Sequence, residues 1–184
     1  MRIVGGTFRG RTISAPKGMA TRPTTDRTRE SLFNIIEHTY GGCEGARVLD
    51  LFAGSGAMGL EALSRGAAFA LFVDDAAAAR GPIQQNVEAL GLQGTTKVFR
   101  RDATKLGPRP ANLGTPFTFI FCDPPYGKGL GALAITAARE GGWLAEGALV
   151  LVEEAAGVLE APSGFHVEET RDFGDTEVTF LRLA

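Results

Sequence analysis

Cysteine and histidine are scarce in this chain. Cys43 and Cys122 stand far apart, and His38 and His166 stand alone. Two distant cysteines make neither a disulfide framework nor a thiolate zinc site, so no metal is expected. Long apolar runs are missing too. A membrane span needs about 18–20 apolar residues in succession, and no segment approaches that length. The opening Met1-Arg2-Ile3-Val4-Gly5-Gly6 has no apolar core behind its charge. The expectation is a protein without membrane contact, located in the cytoplasm. No internal repeat or low-complexity tract stands out.

What is present suits one folded domain. The chain has 184 residues, 44% of them apolar and 22% charged, which leaves room for a substantial core. The net charge of −2 hides an asymmetry. Residues 1–30 carry Arg2, Arg9, Arg11, Lys17, Arg22, Arg27 and Arg29 against Asp26 and Glu30, a net of +5. The remainder carries −7. A basic arm on an acidic body fits contact with a polyanion, although a solvated surface segment would look the same.

Residues 1–25 are short, polar and broken by glycine and proline. Ile3-Val4 and Thr12-Ile13 are spaced to pair as a small hairpin. Thr25 or Asp26 then reads as a helix N-cap, with Leu32, Phe33, Ile36 and Tyr40 at helical spacing before Gly41-Gly42. From Arg47 strands and helices alternate. Strands are predicted at 48–51, 70–73, 96–99, 117–122 and 148–152, with helices over 60–64, 76–90 and 130–140. Pro82 would allow the third of these four helices to begin only near Gly81. Residues 166–170 and 177–183 read as an antiparallel closing hairpin, since too few residues separate them for a crossover. This alternation predicts an α/β fold, Rossmann-like, with an open, mostly parallel sheet covered on both faces.

Between the first strand and its helix lies Asp50-Leu51-Phe52-Ala53-Gly54-Ser55-Gly56-Ala57-Met58-Gly59. Glycines let the backbone turn sharply against a ligand, and the helix start offers unpaired N–H groups. Gly54-x-Gly56-x-x-Gly59 also matches a dinucleotide fingerprint, with Asp74 about twenty residues on. The loop alone does not separate a nicotinamide dinucleotide from S-adenosylmethionine. Asp50 favours the latter, because a carboxylate there receives a methionine ammonium but repels a pyrophosphate. Phe52, Ala53, Gly54, Ser55 and Gly56 are therefore candidate cofactor contacts. Asp102, followed by Ala103 after the third strand, is placed to accept from an adenine amino group; its plainer reading is a capping aspartate.

The most informative segment is Ile120-Phe121-Cys122-Asp123-Pro124-Pro125-Tyr126-Gly127. A buried strand ends and two prolines fix the backbone at once. Proline donates no N–H, so nearby carbonyls are left to accept. Asp123 adds a carboxylate and Tyr126 an aromatic face. Such a rigid acceptor cup suits an exocyclic amine, a poor nucleophile whose lone pair is delocalised into its ring. Gripping its N–H bonds from Asp123 and the Pro124 carbonyl favours a more tetrahedral nitrogen, and Asp123 can take the released proton.

With these residues in place, the chain resembles the RsmD-type small-subunit ribosomal RNA guanine-N2 methyltransferases, among the class I S-adenosylmethionine-dependent methyltransferases. The resemblance runs nearly end to end. It covers Arg2-Ile3-Val4-Gly5-Gly6, Phe8-Arg9-Gly10-Arg11, the run from Arg22-Pro23-Thr24-Thr25-Asp26-Arg27 to Asn34, the glycine loop, Gly59-Leu60-Glu61-Ala62-Leu63-Ser64-Arg65-Gly66-Ala67, and Asp123-Pro124-Pro125-Tyr126. The Arg-Pro-Thr-Thr-Asp-Arg segment joined to the other two motifs is what points to this family.

The resemblance implies a seven-stranded sheet with its last strand antiparallel, and S-adenosylmethionine as cofactor. It implies that Asp74 holds the ribose, Asp102 the adenine, and Asp123, Pro124, Pro125 and Tyr126 the target base. It further implies 16S rRNA, presented in the small ribosomal subunit or an assembly intermediate, as partner. Arg9, Arg11 and Arg22 then become candidate RNA contacts. The expected layout is a basic arm over residues 1–25 and a methyltransferase domain over 26–184, acting as a monomer. Two positions depart from the family pattern. Val73-Asp74-Asp75-Ala76 leaves open whether Asp74 or Asp75 faces the ribose, and Cys122 stands where an aliphatic residue is usual. An amino-group methyltransferase acting on DNA adenine N6 or protein glutamine shares the cup and loop and is the alternative.

Overall fold

A computed structural model describes residues 1–15 and 25–184. Its centre is one sheet of seven strands: β1 (Arg47–Leu51), β2 (Phe69–Val73), β3 (Thr96–Phe99), β4 (Phe117–Cys122), β5 (Leu144–Ala155), β6 (Phe165–Phe173) and β7 (Thr176–Leu183). They lie in the order β3-β2-β1-β4-β5-β7-β6. β1 to β5 run parallel, and β7 runs antiparallel to both neighbours. The sequence dictates this arrangement. Val48, Leu49, Leu51 and Ala70 to Val73 are fully buried, as strands covered on both faces must be. Only Gly174-Asp175 separates β6 from β7, which permits a hairpin and no crossover.

Four helices complete the layers: α1 (Asp26–Thr39), α2 (Ala57–Ser64), α3 (Ala77–Ala89) and α4 (Leu130–Glu140). Thr25 caps α1 by accepting from the Thr28 N–H at 3.1 Å. The first three helices pack through Leu32, Phe33, Ile36, Leu60, Ile83 and Val87 on the face that bears Phe72, Phe119 and Phe121. α4 packs through Ala134, Ile135 and Ala138 on the opposite face, against Ile120, Cys122 and Val152. The core is therefore two apolar layers on one sheet, weighted towards the α1–α3 side.

The start of β5 departs furthest from expectation. β5 begins at Leu144, not Ala148, because Leu144 pairs with Phe117 before a register shift carries the pairing to Phe119 and Leu149. The polar Glu146-Gly147 interruption sits inside that irregularity and hides the earlier pairing. α3 spans Ala77–Ala89, close to the expected 76–90, and the later start near Gly81 that Pro82 would allow is not taken. The missing proline N–H falls opposite the carbonyl of exposed Ala78, which solvent can satisfy.

The N-terminal hairpin is built more firmly than its composition suggests. Arg2 and Thr12 form an antiparallel bridge, and Ile3 and Ile13 are buried at 1% and 2% exposure. The reading of this segment as polar is thus corrected for residues 1–15: two isoleucines join the core cluster that α1, α2 and α3 also enter. Beneath them lies a buried ionic cluster. Glu61 accepts from the N–H groups of Val4 and Gly5, both at 3.0 Å, from Arg29 Nε at 3.2 Å and from Arg65 Nε at 2.9 Å. Arg29, fully buried, also donates to the Arg2 carbonyl and to Asp26. Ser64 adds a second tie, accepting from the Phe8 N–H and donating to the Gly5 carbonyl. A Cβ on Gly6 would lie 2.0 Å from the Ser64 carbonyl oxygen, so only glycine fits.

Glu61→Ala takes from Arg29 its fully buried carboxylate partner and leaves it the half-exposed Asp26 at the rim. Breaking one side of a buried ion pair costs about 3–5 kcal/mol, which lowers Tm by roughly 6–20 °C in a domain of this size. Thermal unfolding followed by circular dichroism checks this; a change of a degree or two would show the cluster to be dispensable.

Candidate active site

The carboxyl edge of the parallel strands gathers the acidic residues singled out by motif. Asp50 is the penultimate residue of β1, Asp74 follows β2, Asp102 follows β3 and Asp123 follows β4. Parallel strands point the same way, so four separate segments of the sequence arrive at one edge, the one that binds ligands in open α/β sheets.

Asp50 lies under the glycine loop at 3% exposure and accepts from the Gly59 N–H at 3.0 Å. This contact draws the first turn of α2 onto the end of β1. Gly59 permits the close approach: a Cβ there would meet the Phe72 ring at 2.5 Å. Burial pushes the Asp50 carboxyl up to about 8, Asp74's charge adds to the shift, and the Gly59 N–H opposes it. At neutral pH this carboxyl is therefore mostly protonated in the ligand-free protein. Above Asp50, Phe52 adopts φ 55° and Gly54 φ 59°, a left-handed turn unusual for a phenylalanine. Ser55 and Gly56 are buried, and Ser55 turns its hydroxyl oxygen toward the Ala57 N–H.

Asp74 faces the glycine loop. One oxygen accepts from the Gly54 N–H and the other from the Ala76 N–H, both at 2.9 Å. Asp75 is exposed, and its carbonyl accepts from Arg100. Asp74 is thus the member of the pair that adjoins the loop. Asp102 caps the short turn Ala103–Lys105, accepting from the Thr104 N–H and hydroxyl. Those bonds hold its carboxyl below the usual carboxylate range. The plainer reading of Asp102 is realised, and the cap also fixes the carboxylate at the edge. Ala103 is buried beneath it.

The acceptor cup is tied to the sheet at its root, where the Asp123 N–H donates to the Leu51 carbonyl at 3.5 Å. Pro124 is buried, Asp123 and Pro125 are half-buried, and Tyr126 is 45% exposed, presenting its ring outward. α4 crowds against the underside of the cup. A Cβ on Gly131 would meet Val152 at 2.9 Å and Pro124 at 3.5 Å. Cys122 is buried, and burial holds its thiol well above the ordinary range, as befits an inert core residue. Of the basic candidates, Arg9 is exposed, Arg11 is exposed but donates to the Ala89 carbonyl at 2.8 Å, and Arg22 lies outside the described residues.

Several supporting residues escaped the motif reading. Asn86 on α3 exchanges hydrogen bonds with the Ser14 backbone and donates to the Ser55 carbonyl at 3.1 Å, joining hairpin and glycine loop. Glu154 is buried with neither carboxylate oxygen hydrogen-bonded among the described residues, and burial raises its pKa. Glu153 lines a narrow cleft with Asp123, Leu32, Met58, Leu151 and Val178. No spacing signal marks these positions; only register and packing do. Among the described residues, no group of three or more His, Cys, Asp or Glu is placed to hold a metal, and no helix is long and apolar enough to cross a membrane.

A family model described as "Conserved hypothetical protein 95" matches residues 1–182. Ribosomal RNA small subunit methyltransferase D of Escherichia coli K12 is 41% identical over 153 residues, covering 83% of this chain and 74% of that protein. The chain belongs to the RsmD-type methyltransferase family. The namesake from Haemophilus influenzae is 33% identical over 154 residues, 83% of this chain and 78% of its own. The solved structure of the Escherichia coli methyltransferase yhhF superposes with TM-score 0.82 at 34% identity, covering 100% and 97% of the two chains. The fold extends to magnesium protoporphyrin IX methyltransferase from Synechocystis, solved with bound S-adenosylmethionine, at TM-score 0.64 and 15% identity over 86% of this chain and 79% of that one.

The methyl donor of this RsmD-type protein is S-adenosylmethionine, and the donor set at the edge fits it. A cationic ammonium and sulfonium, a ribose diol and an adenine amine all seek acceptors, and the edge offers the carboxyl groups of Asp50, Asp74 and Asp102 from three strands. An ammonium beside Asp50 would favour its ionised form. Binding of S-adenosylhomocysteine is therefore expected to release a proton near pH 7 and to tighten as pH rises from about 6 to about 7.5, because the free carboxyl titrates near 8. Calorimetry in buffers of different ionisation enthalpy measures this. Asp50→Asn should abolish both effects; wild-type binding without proton release would remove Asp50 from the ammonium site.

Proposed function

We propose that the protein transfers a methyl group from S-adenosylmethionine to the exocyclic N2 amine of a guanine in 16S rRNA, within the small ribosomal subunit or an assembly intermediate. The observation that carries this reading is the acceptor cup of Asp123 and Pro124 beside the glycine loop, in a chain with rRNA methyltransferases as relatives.

S-adenosylmethionine supplies the methyl as an electrophilic carbon on a sulfonium. In this reading Asp50 holds the ammonium, the Phe52–Gly56 loop wraps the methionine portion, Asp74 takes the ribose hydroxyls, and Asp102 with Ala103 receives the adenine. The residues of the cup then act on the base. Asp123 and the Pro124 carbonyl accept the two N2–H bonds and turn the nitrogen lone pair out of conjugation. Forming the N2–methyl bond would break the methyl–sulfur bond, its electron pair staying on sulfur as the neutral thioether of S-adenosylhomocysteine, and one N2 proton passes to the Asp123 carboxylate, leaving the product amine neutral. Tyr126 stacks on a base drawn out of its own stack, offsetting an unstacking cost of a few kcal/mol, approximately. An unpaired guanine in a loop of the particle meets these demands at least cost. Arg9, with Arg11 and Arg22, meets the phosphates, so binding weakens with salt. Arg11 does so at the expense of its bond to Ala89 or alongside it.

Labelled cofactor and purified enzyme, incubated with small subunits lacking the modification, with naked DNA and with a glutamine-bearing peptide, should label only the particle. Digestion should return N2-methylguanosine, whereas N6-methyladenosine, labelled DNA or labelled peptide would overturn the assignment. Asp123→Ala should keep S-adenosylhomocysteine affinity within about threefold, while transfer falls below about a tenth of wild type. Transfer above that level would take the amine away from Asp123.

A further inference from the structure

Glu153 is a residue that none of the motifs marks. It lies on β5, one position past the Cys122–Val152 pair that aligns β4 with β5. Continuing that register sets Glu153 beside Asp123, and both line the same narrow cleft. Neighbouring strands are about 4.8 Å apart, so the two residues stand next to each other where β4 ends. The walls of this cleft are apolar: Leu32 from α1, Met58 from α2, Leu151 from β5 and Val178 from β7. The buried Thr176 hydroxyl donates to Glu153 Oε1 at 3.3 Å and orients it.

An ionised carboxylate is an acceptor only. Two carboxyl groups set side by side repel when both are ionised, and a flat ligand that presents two neighbouring donors along one edge relieves that repulsion. Guanine does so, with N1–H next to the N2 amine. Adenine presents a lone pair at N1 beside its amine, and a carboxylate would face it unfavourably. We infer that Glu153 is the residue that selects guanine: its carboxylate accepts the N1–H while Asp123 and Pro124 hold the N2 amine that is methylated. This rests on the guanine-N2 reading above and extends it, giving the cup, equally suited to either amine, a means of telling the two purines apart. Glu153 touches the base away from the reacting nitrogen, so its part is selection and alignment. No covalent step involves it.

The test uses the base analogue 2-aminopurine, which keeps the C2 amine and lacks the N1–H. Small subunits are reconstituted with guanine or 2-aminopurine at the methylated position, and single-turnover rates are measured with wild type and with Glu153→Gln. Wild type should prefer guanine by at least about tenfold, in line with the discrimination a well-placed polar pair supplies. Glu153→Gln, whose amide can donate to an unprotonated N1, should slow guanine and narrow that preference to a few-fold, with S-adenosylhomocysteine affinity unchanged. A wild-type preference near one overturns the inference whatever the variant does. So does a variant that slows both bases equally, because that marks a structural role. Failure of the guanine-N2 reading itself is distinct: the guanine particle would then yield no N2-methylguanosine with wild type.

Discussion

One buried carboxylate, Glu61, organises the side of the molecule from which substrate would arrive. It is fully buried, and so is its partner Arg29. Such a pair is tolerable only when each charge is compensated and the remaining lone pairs are filled. Here two arginines and two backbone N–H groups fill them. The result ties three pieces that are distant in sequence: the hairpin through Val4 and Gly5, α1 through Arg29, and α2 through Glu61 itself and Arg65. Since α2 begins at the glycine loop and α1 contributes Leu32 to the cleft beside Asp123, the same cluster fixes the spacing between the cofactor edge and the base-binding cleft. Residues 1–15 of the basic segment are thus carried on a rigid mount.

A second constraint acts at the sheet edge. Parallel strands bring Asp50, Asp74, Asp102 and Asp123 together, and the repulsion this creates is distributed unequally. Asp50 is held largely neutral by burial and by Asp74, while Asp102 is held ionised by Thr104. An acidic edge of this kind is prepared for a cationic cofactor and poorly suited to a pyrophosphate. That chemistry, more than the glycine spacing, separates the methyl donor from a nicotinamide dinucleotide.

Much of this was legible in the residues. Continuous apolar runs such as Val48-Leu49 and Phe72-Val73 marked buried parallel strands, and the short separation between 166–170 and 177–183 marked the closing hairpin, whose strands prove longer and whose turn proves tighter. The glycine loop and Asp123-Pro124-Pro125-Tyr126 marked the ends of β1 and β4. Other features depend on what meets across space. The four-residue extension of β5 lies behind a polar interruption and a register shift. The anchoring of the hairpin rests on Ile3 and Ile13, isolated in a polar stretch and buried only because the helices of the same core cluster surround them. Glu153 and Glu154 are adjacent in sequence and alike in type. Strand alternation sends the first to the cleft with Asp123 and the second into the opposite face, without a hydrogen-bond partner among the described residues.

The central claim is that this fold places one guanine amine of the small-subunit RNA in the Asp123–Pro124 cup. Mass spectrometry of nuclease fragments of 16S rRNA, from a strain lacking the gene and from the same strain carrying the wild-type or the Asp123→Ala gene, tests it most directly. The account predicts one fragment that loses a single N2-methylguanosine in the deletion strain, regains it with the wild-type gene and fails to regain it with Asp123→Ala. An unchanged N2-methylguanosine content, or loss of a different modification, would contradict it.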